Sequence, residues 1–276
     1  MTWGNIVSES FTVTNGVRQG GILSPILFNV YMDDMSVKLK NSNLGCRING
    51  TVINHLLYAD DTCILASSPT ALQNLLNMCS DFAIDNDVVF NESKTKLMCY
   101  KPKSCPHLHV PDIVLNTKVI STVPEHKYLG ILLQDNQSDE ADMKRHVRAI
   151  YSRGNILASH FRNCSTEVKI CLFRAYCSNA YGSQLWTTYR KPIYQKVKVA
   201  YNDVYRKLFN IHRGDSISAI FVSHNIDTFC VLVRKLVYSL KCRLSTSANE
   251  LIKSVMLGPE FANCKLNTSW QRILYL

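Results

Sequence analysis

The sequence has no C-x-x-C pair, no internal repeat and no low-complexity tract. It also has no apolar run approaching the roughly 18 residues that a membrane-spanning helix needs. These absences exclude a bilayer-spanning helix, a repeat array and the common cysteine scaffolds. Met1 to Asn5 holds no basic stretch leading into an apolar one, so no secretory signal is read there. Charged residues reach only 19% against 46% hydrophobic, a balance that excludes a largely disordered chain. The 11 cysteines are odd in number and scattered singly. That pattern fits reduced core thiols in a cytosolic or nuclear protein.

The 276 residues suffice for one large domain or two small ones. Charge divides them. Residues 1–135 carry 10 Lys/Arg and 12 Asp/Glu, whereas residues 136–276 carry 21 and 9, so the net +10 lies entirely in the second half. Such a basic half suits a polyanion, nucleic acid being the commonest. Helices with solvated Lys/Arg faces would look the same, and charge alone does not separate the two.

Residues 1–135 read as short strands with two helices. Ser24-Pro25 suits an N-cap followed by proline in the first turn, opening a stripe of Leu27, Phe28, Tyr31, Met35 and Leu39. Val52–Tyr58 and Thr62–Ala66 form a hairpin candidate with its turn at Ala59-Asp60-Asp61. Ser68-Pro69 starts a second helix, with Leu72, Leu75, Leu76, Cys79 and Phe82 on one face. Strands are expected at 88–90, 96–100, 118–121 and 127–133. Beyond Asp135–Ser138 the spacing turns helical, near 143–161, 166–187, 193–210 and 228–244. Strands followed by helices predict an α+β unit at 1–135 and an all-helical region at 136–276.

The sharpest chemical feature is Tyr58-Ala59-Asp60-Asp61. Adjacent carboxylates repel unless something compensates them, and a divalent cation with hard oxygen ligands does so. A solvated Asp-Asp turn is the plainer alternative. Three further motifs accompany it: Gly16-Val17-Arg18-Gln19-Gly20-Gly21-Ile22-Leu23-Ser24-Pro25, Asn91-Glu92-Ser93-Lys94-Thr95 and Lys127-Tyr128-Leu129-Gly130. In this order and spacing, across residues 13–133, the chain resembles the reverse transcriptases of non-LTR, LINE-like retrotransposons. Beyond residue 138 the likeness is weaker, though Leu172–Cys177 and Ala200–Asp203 are similar to the helical region after that family's palm.

The resemblance implies a partial polymerase palm, an antiparallel sheet with packed helices, followed by a helical thumb-like region. It implies RNA-directed DNA polymerase chemistry with an RNA template, a DNA primer, dNTPs and Mg²⁺, with Mn²⁺ as the alternative ion. Asp60 would be the ligand shared by two metal ions and Asp61 its neighbouring carboxylate. Tyr58 would pack beside the primer end, and Gln19 and Gly20 would lie against template and incoming nucleotide. Arg18 would face a phosphate or carboxylate. Lys94 would neutralise departing pyrophosphate, or else be a plain strand-end lysine. Tyr128, Leu129 and Gly130 would form the primer grip. The family's further catalytic Asp, upstream of Gly16, has no counterpart among residues 1–15, where Glu9 is the sole acidic side chain. The expectation is therefore a fragment inactive by itself, with the rest of the polymerase as a partner, or a non-catalytic nucleic-acid-binding remnant.

Three other patterns are weighed. Tyr31-Met32-Asp33-Asp34 spells a second acidic motif, yet it falls inside the first helix and reads as helix surface. Cys99, Cys105, His107 and His109 match no common zinc spacing. Lys191, Lys196, Lys198, Arg206 and Lys207 alternate with Tyr194, Tyr201 and Tyr205. They fit either a nucleic-acid track or an amphipathic bundle whose tyrosines face inward, and the second reading is favoured for the tyrosines.

Overall fold

A computed structural model describes residues 2–9, 16, 18, 20–101 and 109–275. Strands β1 (Thr2–Trp3) and β2 (Ile6–Val7) precede helix α1 (Ser24–Asn41). Then come β3 (Cys46–Ile48), β4 (Thr51–Ile53), β5 (His55–Tyr58), β6 (Asp61–Ile64) and α2 (Pro69–Asp85). The short strands β7 (Lys96–Leu97), β8 (Val114–Leu115), β9 (Lys118–Val119) and β10 (Ser121–Thr122) lead to β11 (Glu125–Tyr128) and β12 (Ile131–Gln134). Helices follow: α3 (Glu140–His160), α4 (Thr166–Tyr176), α5 (Lys191–Phe209), α6 (Ile217–Ser223), α7 (Phe229–Ser245), α8 (Glu250–Leu257), α9 (Pro259–Ala262) and α10 (Lys265–Tyr275). The order is α+β. Among the described residues every sheet is two-stranded, and the β7–β10 pair is parallel. No helix there is long and apolar enough to cross a membrane.

The chain packs as two units. One takes residues 1–47, 52–92 and 111–119; the other takes 48–51, 93–110 and 120–276. The first is built on α1 against α2, where Met32, Met35 and Leu39 meet Leu75, Cys79 and Phe82. Its apolar stripe differs from the expected one. Phe28 packs against this core, whereas Leu27 is turned outward and Tyr31 is half exposed, its hydroxyl donating to the Asn86 carbonyl at the end of α2, because the helix is apolar on more than one side and periodicity does not choose between the sides. Asp33 and Asp34 are exposed, as helix surface should be.

Ser24 is the first helical residue and not the cap. Its hydroxyl donates to the Arg18 carbonyl at 2.6 Å, while Leu23 occupies the cap position without a side-chain bond. Ser68 does cap α2, accepting from the Ala71 amide at 3.2 Å. No strand forms at 88–90. Asp87 takes φ 51° and the Val88 amide bonds back to the Ala83 carbonyl, closing the helix end. Val88 and Phe90 pack inward with Val89 exposed, which reproduces strand alternation without a paired neighbour. The expected 118–121 strand is two, β9 joining β8 and β10 joining β7.

In the second unit, α3 and α5 run side by side and parallel. Glu140 meets Arg190, Tyr151 meets Asp203 and Asn155 meets Lys207, an offset that stays near constant along both helices. Gly154 permits this closeness: a Cβ there would lie 2.3 Å from Val204 Cγ1. Three acids at the start of α3 tie it to its surroundings. Asp139 Oδ2 accepts the Thr187 and Thr188 amides, both at 2.7 Å. Glu140 takes a fork from Arg190, whose guanidinium draws the carboxyl down to about 2. Asp142, buried, accepts from the Leu132 amide, the Trp186 indole and Arg145.

The expected 166–187 helix therefore ends at Tyr176, since the segment beyond it is shaped to meet these acids. It turns at Gly182 (φ 87°), winds one 3₁₀ turn at Ser183–Leu185 and buries Trp186. Trp270 of α10 closes the same region, donating to the Gln184 carbonyl at 2.7 Å. Tyr201 and Tyr205 are core residues, edge-on to Phe173 and Phe221.

His146 sits in this core beside Trp186, ring centroids 5.7 Å apart, and burial pushes its imidazole down to about 4. A histidine whose folded pKa lies below its unfolded value binds its proton more readily when unfolded, so stability is lost as pH falls. Urea unfolding should show about 2 kcal/mol less stability at pH 5 than at pH 7.5 from this group. His146→Phe should flatten that part of the slope.

Candidate active site and a basic groove

The Tyr58–Asp61 segment closes a tight hairpin. His55 pairs with Ile64, Leu56 with Cys63, Leu57 with Thr62 and Tyr58 with Asp61, leaving Ala59 and Asp60 as a two-residue turn. Ala59 takes φ 51°, the left-handed region where a side chain is strained. Asp60 and Asp61 are exposed. Among the described residues neither carboxylate has a hydrogen-bond or ion-pair partner, and no cluster of three or more metal-ligating side chains forms.

What holds the hairpin is Asn54, only 3% exposed and placed between β4 and β5. Its Nδ2 donates to the carbonyls of Leu39 and Leu44 at 2.6 and 2.9 Å, joining the end of α1 to the loop beyond it. Its Oδ1 accepts from His55 Nδ1 at 2.7 Å, which leaves His55 Nε2 to accept from the Ser36 hydroxyl at 2.7 Å. This is the neutral imidazole. Burial and then Lys40 push the pKa of His55 down accordingly. The Leu65 amide bonds to the Asn54 carbonyl, extending the hairpin by one step. Gly45 must be glycine here, with φ 133° and a hypothetical Cβ 2.6 Å from that of Asn54. Sequence reading missed this anchor. Its signal was the polar pair Asn54-His55 inside an otherwise apolar run.

Arg18 and Gly20 are exposed ahead of α1, Gly20 with φ 80°; Gln19 lies outside the described residues. Tyr58 is 64% exposed beside the turn. Lys94 and the segment Tyr128–Gly130 belong to the other unit. Lys94 is exposed in a turn just before β7. Leu129 and Gly130 form the two-residue turn of the β11–β12 hairpin, with φ 45° and 82°, as a type I′ turn requires. Of the sulfur and imidazole set, Cys105 and His107 lie outside the described residues.

The helical unit carries a groove of about 730 Å³ lined by Leu132, Glu140, Lys144, Arg148, Ile193 and Lys196, among others. Lys144 and Arg148 are one turn apart, about 6 Å along α3, and Lys196 reaches in from α5. Among the described residues none of the three cations is in an ion pair. By contrast, Arg206 is spent on the His212 and Asp215 carbonyls and Lys207 on Asn155.

Residues 3–133 match the family model described as reverse transcriptase (RNA-dependent DNA polymerase). Over this segment the chain is similar to reverse transcriptases. Relatives of the chain come from non-LTR retrotransposons. The chain is 33% identical over 130 residues to the Pol polyprotein of the type-2 retrotransposable element R2DM of Drosophila melanogaster, covering 45% of this chain and 12% of that one. It is 22% identical over 210 residues to the RNA-directed DNA polymerase from mobile element jockey of Drosophila funebris, covering 70% and 22%. A Pol polyprotein of the type-1 element R2 of Nasonia vitripennis is 30% identical over 124 residues, covering 42% and 12%. The chain thus spans a small part of these relatives' length. The matched segment contains both the carboxylate hairpin and its Asn54 anchor.

Truncating the anchor tests its weight. Asn54→Ala leaves the Leu44 carbonyl without this donor and His55 Nδ1 without its acceptor, while Leu39 keeps Ser42, and a urea melt should show a loss of about 2–3 kcal/mol.

Proposed function

We propose that the chain carries part of an RNA-directed DNA polymerase that extends a DNA primer on an RNA template by two-metal nucleotidyl transfer. The observation that carries this reading is the uncompensated Asp60–Asp61 pair at the tip of an anchored hairpin. The donor set fits Mg²⁺, which binds through one or two carboxylates and leaves positions for phosphate oxygens; Mn²⁺ is the alternative. Asp60 would hold the ions jointly and Asp61 would flank them. The bound ions would stabilise the attacking and leaving oxygens of an in-line displacement. Tyr58 would pack against the primer end, Arg18, Gln19 and Gly20 would border template and nucleotide, and Lys94 would offset the charge of departing pyrophosphate. Tyr128, Leu129 and Gly130 would grip the primer.

In-line transfer calls for a further carboxylate on a separate strand, and Glu9 is the sole acid among residues 1–15. These 276 residues assayed by themselves are therefore expected to bind nucleic acid and to extend no primer. Primer extension with an RNA template, Mg²⁺ and dNTPs checks this. Extension abolished by Asp60→Asn would overturn the inactivity and uphold the chemistry. Binding of Mn²⁺ with dNTP, followed by Mn²⁺ relaxation, should be lost in Asp60→Asn with Asp61→Asn.

A second reading, a nucleic-acid-binding remnant without chemistry, is favoured by the basic groove. It expects binding that is indifferent to Mg²⁺ and to Asp60→Ala. On either reading the groove contributes phosphate contacts, so affinity should fall steeply with salt. Replacing Lys144, Arg148 and Lys196 together by Ala should reduce the log–log salt slope by about 2–3, measured by fluorescence anisotropy. An unchanged slope would remove the groove from the interface.

A further inference from the structure

The β11–β12 turn is held from outside by Tyr181. The Tyr181 hydroxyl donates to the Leu129 carbonyl at 2.9 Å, and its ring lies 3.3 Å from where a Cβ on Gly130 would stand. Its own amide donates to Asn179 Oδ1 at 3.0 Å, which fixes the segment that carries it. The next residue, Gly182, has φ 87°, and a Cβ there would come within 3.2 Å of Ile131 Cγ1. One segment thus grips both sides of the turn. The grip matters because Leu129, bulky and at φ 45°, occupies a conformation that costs free energy unless its surroundings impose it. On β12 itself, one pair below the turn, Asp142 holds the Leu132 amide at 3.0 Å. The hairpin is therefore fixed just below its turn by a buried carboxylate and at its tip by one phenol that is half exposed.

We infer that Tyr181 is a positioning residue that sets the β11–β12 tip for the recessed 3′ end of a primer–template, its hydroxyl fixing the Leu129 carbonyl and its ring walling Gly130. This rests on the reading of Tyr128–Gly130 as a primer grip. A tip free to rock would still bind duplex through the groove cations, but it would lose discrimination for the primer end.

The test compares the full chain with Tyr181→Phe, which keeps the ring and removes the hydrogen bond. Two probes are used: an RNA template carrying a DNA primer with a recessed 3′ end, and the same hybrid closed at both ends by loops. Anisotropy should show the unaltered chain preferring the recessed end. Tyr181→Phe should lower that preference about fivefold, the worth of one neutral hydrogen bond, with affinity for the closed hybrid unchanged and the melting temperature lowered by no more than that one bond accounts for. Gly130→Ala, which pushes a methyl against the ring, should produce the same loss by a second route. Full preference retained in Tyr181→Phe would overturn the assignment. A fall in melting temperature with equal weakening for both probes would also overturn it, by showing a merely structural role. If the unaltered chain binds both probes equally, the primer-grip reading itself fails, and this inference falls with it.

Discussion

The amide of Asn54 is the constraint on which the carboxylate hairpin depends. Two carboxylates side by side, on a turn whose first central residue is left-handed, gain nothing from their own contacts. The pair keeps its geometry only because the strand beneath it is tied down. Asn54 does this with one side chain serving four partners, at Leu39, Ser42, Leu44 and His55. His55 carries the tie on to Ser36. Helix α1 and the hairpin are thereby one mechanical piece, and α1 begins at Ser24, directly after Gly20–Leu23. The start of α1 and the carboxylate turn are thus linked through one helix by buried polar bonds, which are more directional than apolar packing.

The helical unit solves a comparable problem with charge. Asp139, Glu140 and Asp142 start α3, where the helix dipole favours anions, and each also satisfies groups on the chain that arrives at 186–190. Asp142 reaches further, to the backbone of β12. A single turn of helix therefore orders a strand, an indole and the entry to α5. This explains why the region between Tyr176 and Lys191 is irregular. Its Thr187 and Thr188 amides are committed to Asp139 and its Gln184 carbonyl to the Trp270 indole, and a continued helix would have cost buried Asp142 its Trp186 donor.

How much of this could be read from sequence follows from the kind of signal involved. The Tyr58–Asp61 turn was legible and Ser68 caps its helix, but the strand expected over 127–133 is broken by a two-residue turn at Leu129–Gly130, where both residues take positive φ. Helical periodicity located α3, α5 and α7, and it identified Tyr201 and Tyr205 as core. It failed for α1, where apolar residues on several sides hid which stripe is inward, and for Val88–Phe90, where alternation came from a helix exit. Asn54, Asp142 and Tyr181 were not legible. Each acts through backbone carbonyls or amides that any sequence would present, so nothing in the partner's residue type announces the contact.

The uneven charge also reads differently once its cations are sorted by partner. Arg145, Arg190, Arg206, Lys207, Lys235 and Lys253 bind acids, an amide or carbonyls within their own unit, so a good part of the excess stabilises the fold. Lys144, Arg148 and Lys196 differ because the parallel packing of α3 and α5 brings them to one groove, where, among the described residues, no carboxylate lies within ion-pair distance of them. Glu125 and Glu140 also line the groove, Glu140 being paired with Arg190. Cations gathered without an ion pair favour an anion at this face. The groove follows from Gly154, since only a residue without a side chain lets Val204 come so close and sets the two helices in register.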